Sequence, residues 1–173
     1  LCLCALVCIL CVSASAADGH VHPVCGAEHK DVGDHTGECR DLTWIEVTQA
    51  DVDSHSGDLP LESGKSYYLG ENISVKYEIT IDGTVNLCLN GHTITKTSES
   101  DLFKGVVVVQ PNSQFTLCDC KTGGTITHKD GVTGRGVRVG SSDFTVRQAS
   151  FIMYGGTISG NRVTLQDGAG VNV

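Results

Sequence analysis

Thr93-Ile94-Thr95, Thr125-Ile126-Thr127 and Thr157-Ile158-Ser159 are one tripeptide written three times, and each isoleucine follows the previous one by 32 residues. Glycine precedes every copy, as Gly91, Gly124 and Gly156. Two further phrases return at nearly the same distance. One is Gly105-Val106-Val107-Val108, Gly136-Val137-Arg138-Val139 and Gly170-Val171-Asn172-Val173; the other is Val85-Asn86-Leu87, Phe115-Thr116-Leu117 and Phe151-Ile152-Met153. Short alternating segments at a near-constant period are the mark of a stacked repeat architecture.

Alternation sends Ile126 to one face and Thr125 and Thr127 to the other. A segment this short cannot bury its apolar face alone, so each needs a copy of itself above and below. If the three phrases form three sides of one coil, Ile94, Ile126 and Ile158 stack inside as a ladder. Each buried isoleucine then contributes roughly 1.5–3 kcal/mol. Glycines together with Asn90, Asn112 and Asp119 supply the corners, where tight turning is needed. From Ser63 onward no apolar spacing of three and four is sustained, which disfavours helices. A β-sandwich also has many short strands, but it does not require a constant period.

Charge divides the chain. Residues 18–62 hold eleven acids and two bases, whereas 63–173 hold nine acids and ten bases. We therefore read 18–62 as an acidic His/Cys-rich cap region and 63–173 as the repeat domain, continuing beyond Val173. The overall formal charge of −8 argues against a nucleic-acid-binding surface, which needs a basic stripe. Ahead of both lies Leu1–Ala17, an uncharged apolar run ending in Ser13-Ala14-Ser15-Ala16-Ala17, which reads as a signal peptide lacking its first residues. The expectation is an exported chain, secreted or at the cell surface, with no transmembrane span once that segment is removed.

Cys25, His29, His35 and Cys39 form a symmetrical Cys-x3-His, His-x3-Cys frame. Two thiolates and two imidazoles suit structural zinc. In an exported protein a Cys25–Cys39 disulfide is the preferred reading, and it would contribute about 3 kcal/mol by closing a short loop. Trp44, within the strand-like run Leu42–Thr48, reads as a hydrophobic lid over the first coil, with a sugar-stacking ring as the alternative. A polar loop is expected from Gln49 to Gly64. Cys88 and Cys118 occupy matching places in successive repeats, and Cys118 and Cys120 share a face. They are open to a cross-coil disulfide or to remaining as thiols. With five cysteines left after the leader, at least one lacks an intramolecular partner.

The runs Asp82–Ile94, Phe115–Cys120 and Met153–Asn161 resemble the right-handed parallel β-helix repeats of large bacterial surface and secreted proteins, called adhesin-like or pectate-lyase-like. The His/Cys-rich lead and the Trp44 strand are similar to the start of such proteins. The resemblance implies an all-β solenoid of about three coils, a fragment of something longer. It also implies an exported, non-catalytic module that serves as a stalk or an extended binding surface for glycans or cell-surface proteins. Polysaccharide lyases and glycoside hydrolases use the same scaffold, so an enzyme is the competing expectation. Against it, the acids of the repeats fall at turns, and Asp119 and Asp130 are the only pair one coil brings together. No catalytic residue and no bound cofactor are expected beyond the zinc alternative. The threonine columns raise a third expectation, an ice-binding face. Phe144–Ala149 interrupts the pattern and puts the register of the last repeat in question.

Overall fold

A computed structural model describes residues 20–24, 41–98, 103–140, 148–164 and 168–173. The leader Leu1–Ala17, the Cys25/His29/His35/Cys39 frame and Phe144–Arg147 of the interruption lie outside the described residues. Two short strands open the chain, β1 (Val21–Pro23) and β2 (Asp41–Thr43), paired antiparallel. β3 (Ile45–Val47) follows, and then α1 (Gln49–Ser54). The chain next passes through β4 (Lys65–Leu69), β5 (Ile73–Val75) and β6 (Ile79–Ile81), then β7 (Thr84–Cys88), β8 (Thr93–Lys96) and β9 (Gly105–Val109). A further three strands are β10 (Gln114–Cys118), β11 (Thr125–His128) and β12 (Arg135–Val139), and the last three are β13 (Ser150–Met153), β14 (Thr157–Ile158) and β15 (Val171–Asn172).

From β4 onward every third strand joins the same sheet, and β3 adds to the edge of the first. The three parallel sheets run β13-β10-β7-β4-β3, β14-β11-β8-β5 and β15-β12-β9-β6. The protein is thus all-β, mostly parallel and almost free of helix, an arrangement compatible with the expected solenoid. Parallel strands must be joined by crossovers rather than tight hairpins, and here the strands of the other two sheets are the crossover.

The isoleucine ladder forms with four rungs: Ile73, Ile94, Ile126 and Ile158 are partners in neighbouring strands. Ile94 and Ile126 are fully buried, while Ile158 is partly buried against the same core. Val85, Phe115 and Phe151 line up likewise, and the two phenylalanine rings stack with centroids 5.5 Å apart. Beyond the interruption, Ser150 still pairs with Gln114, so the register of the last repeat is kept. One alignment of the sequence phrases is corrected. Gly105 pairs with Arg135 rather than Gly136, and Val107 with Val137. A slip of one residue would turn every side chain to the opposite face. The register is therefore set by Ile79, Val107 and Val137, which all enter the core.

The corners behave as their residues demand. Asn90 and Asn112 adopt φ of 51° and 64°, a left-handed region that asparagine tolerates better than most residues. Asn90 also donates its side-chain amide to the Leu69 carbonyl at 2.9 Å. Asp119 holds two corners at once: Oδ1 accepts the Gly91 amide at 2.6 Å and Oδ2 the Gly124 amide at 2.8 Å.

The expected loop from Gln49 contains α1 instead. Asp51 accepts both the Thr48 amide and the Thr48 hydroxyl at 2.8 Å, which satisfies the helix start and lowers the Asp51 pKa. Gln49 fastens the helix to β5 by accepting the Ser74 amide at 2.7 Å. The fully buried Val52 of α1 joins the main core with Val47 and Leu59. These residues, and not Trp44, extend the core ahead of β4.

Candidate metal centre

Strand alternation gives the first sheet a second, separate packed surface. Leu87 and Leu89 belong to the main core, while Cys88 between them belongs to a smaller cluster with Cys118, Trp44 and Val24. Cys88 and Cys118 are direct partners in β7 and β10, as their matching repeat positions imply. Tyr68, the partner of Cys88 in β4, and Tyr154 pack against the same cluster. The outer face of this sheet is thus apolar and sulfur-bearing at the Cys88–Cys118 end, where Val24 and Leu42 of the leading segment pack on it.

Trp44 makes that cover fit. Its backbone amide donates to the His20 carbonyl at 3.2 Å and its indole N–H to the His22 carbonyl at 3.0 Å. The ring is buried, with 5% of its surface exposed. The His22 imidazole stacks on it at a centroid distance of 4.5 Å, and the His20 ring stacks on Tyr68 at 4.0 Å. Both imidazoles are therefore clamped by aromatic faces. Trp44 is a clasp on the side of the sheet and not a lid over a coil end.

Among the described residues, these contacts bring together His20, His22, Cys88 and Cys120, whose ligand-type atoms all lie within 4.8 Å of one another. The two Nε2 atoms are 2.9 Å apart, and His20 Nε2 is 3.7 Å from Cys120 Sγ. His22 Nδ1 lies 2.7 Å from the Pro23 carbonyl. Donation to that carbonyl puts a ring proton on Nδ1 and leaves Nε2 as the nitrogen turned toward the other members of the group. The Cys120 amide donates to Cys88 Sγ at 3.4 Å.

Charge follows this geometry. The Cys88 thiol is pushed down, first by its hydrogen bond from Cys118, against the opposing effect of burial, and then by His22. Cys118 is pushed up correspondingly, by its hydrogen bond to Cys88 and by burial. Cys120 is pushed up to about 12 by burial and by the neighbouring Cys88 sulfur. Burial works against a charged His22, yet the Cys88 sulfur and the Pro23 carbonyl more than offset it, and its pKa stands raised.

Cys88, Cys118 and Cys120 are free thiols. Repeat positions pair Cys88 with Cys118 but give no link from the cysteines to His20 and His22. The signal available was parity: in Leu87-Cys88-Leu89 and Leu117-Cys118, cysteine takes the position that alternation turns away from the core. The separate Cys25/His29/His35/Cys39 frame lies outside the described residues. Among the described residues no helix is long and apolar enough to cross a membrane. Neither a protein-family model, nor a curated protein, nor a solved structure matches the chain.

Proposed function

We propose that the chain is an exported, right-handed parallel β-helix module of the adhesin-like kind, a non-catalytic stalk or extended binding surface. Three parallel sheets visited in rotation support the β-helix reading, and the apolar leader ending in small residues supports export. One observation carries the non-catalytic reading. Asp119, an acid of the pair that a catalytic coil would need, has its two oxygens engaged by the backbone amides of Gly91 and Gly124. A carboxylate so held is a corner brace and not a proton donor or nucleophile. Binding by such a module draws on a long face of repeated strands, with glycans or cell-surface proteins as ligands.

The test is a glycan and surface-protein array probed with the full chain, alongside incubation with pectin and related polymers. Retention of a glycan or protein with no sugar release is the expected result. Release of unsaturated oligosaccharides would overturn the reading in favour of a lyase. The in-register pairs Thr93–Thr125 and Thr125–Thr157 favour ice binding as a second reading, which thermal hysteresis in the full chain would establish.

A further inference from the structure

We propose that His20, His22, Cys88 and Cys120 form a structural zinc site that staples the leading segment onto the outer face of the first sheet. The proposal is independent of the module's ligand and of whether the chain binds one.

The donor set comes first. Two imidazole nitrogens and two sulfurs suit a tetrahedral ion of borderline softness, and zinc is the common occupant. Ligands about 2.0–2.3 Å from a tetrahedral ion stand about 3.3–3.8 Å from one another. The separation of His20 Nε2 and Cys120 Sγ, 3.7 Å, already falls in that range. The two Nε2 atoms, at 2.9 Å, need only open by about 0.4 Å. No ligand-type atom in the group is farther than 4.8 Å from another, so closing around an ion requires side-chain adjustment rather than movement of strands.

The support around the donors is of the kind metal sites use. The Pro23 carbonyl orients His22 so that Nε2 is the ligating atom, and the Cys120 amide donates to the Cys88 sulfur. Tyr68 and Trp44 hold the two rings by stacking. Four protein donors close the coordination sphere, which is the structural and not the catalytic arrangement.

Position states what the ion does. His22 lies in β1 and His20 just before it, whereas Cys88 ends β7 and Cys120 lies two residues past the end of its neighbour β10. Among the described residues β1 pairs only with β2, in a two-stranded sheet of its own. A bond from each imidazole to an ion held by the repeat domain joins the two parts directly. Metal loading and docking of the leading segment are then one event.

Trp44, the sole tryptophan, reports on the test because His22 stacks on it. The full chain is purified reduced, stripped with a chelator and titrated with Zn2+. Trp44 emission and bound metal per chain are followed, and X-ray absorption at the zinc edge reads the ligand shell. The expected result is one zinc in a shell of two sulfurs and two nitrogens, with an emission change that saturates at one equivalent. Cys120 is exposed and His20 half-buried, so C120S and H20A should fold. Each should weaken zinc binding by at least about a hundredfold, beyond what loss of a mere supporting partner costs. Zinc bound equally well by C120S and H20A, and lost in C25S/C39S, would overturn the proposal and move the metal to the other His/Cys frame. Failure of the reduced chain to take up zinc, or recovery of Cys88 in a native disulfide, would overturn it as well.

Discussion

The first sheet has two faces, and they are built on opposite principles. Its inner face repeats: Val85, Phe115 and Phe151 lie over one another, as do Leu87, Leu117 and Met153. Its outer face, at the Cys88 column, does not. There a Tyr, two Cys and a second Tyr are covered by imidazoles and an indole from the start of the chain. The same strands build both faces, one by self-stacking and the other by accepting a foreign segment. A ladder needs neighbours of its own kind, whereas the outer cluster needs particular partners in particular places.

That contrast can be broken most forcefully from the inside. Phe115→Ala removes a fully buried ring between Val85 and Phe151, and should cost about 3–5 kcal/mol, read as a lowered urea midpoint for the whole repeat domain. Asp119→Ala unseats two corner amides at once and should cost about 2 kcal/mol in the same measurement. On the outer face, Trp44→Phe keeps an aromatic body but removes the donor to the His22 carbonyl. A loss of about 1 kcal/mol is expected, with faster hydrogen exchange in 20–24 and unchanged exchange in β10 and β11. Equal acceleration everywhere would mean that the two faces are one cooperative unit.

A smaller effect sharpens the comparison by pH. His128 is buried and donates its Nδ1 proton to Asn161 Oδ1 at 2.8 Å, and burial lowers its pKa from the ordinary 6.5. The unfolded imidazole therefore binds a proton more readily than the folded one. Stability is full above about pH 6.5 and falls as acid carries the solution down through the folded pKa. His128→Gln should flatten that part of the melting-temperature profile. Smallest of all, Thr125→Ala on the half-exposed side of the ladder should stay within about 0.5 kcal/mol.

What the sequence made legible follows from the same contrast. Ile94, Ile126 and Ile158 could be placed in one column because repetition supplies the missing third dimension: equal spacing becomes vertical stacking. The outer cluster offers no such conversion, since His20 and Cys120 are a hundred residues apart and share no period. The place of Trp44 is hidden for the same reason, its partners being the His20 and His22 carbonyls and not a coil end. The one-residue offset between the Gly105 and Gly136 phrases arose because matching letters were aligned where burial of Val107 and Val137 decides the pairing. Helix α1 leaves little trace in the sequence because it is short and has one buried side chain, although Thr48 and Asp51 stand at capping distance.

The ladders tolerate unequal lengths of chain between their rungs. The step from one rung to the next spans residues 87 to 117 in one place and 117 to 153 in another, yet each pair stays in register. The extra residues of the longer step fall between β12 and β13, and the strands on either side keep their pairing all the same. Length can therefore change between two sides of the stack without cost to the ladder, and foreign peptides inserted between β12 and β13 should leave the register of both strands as it is.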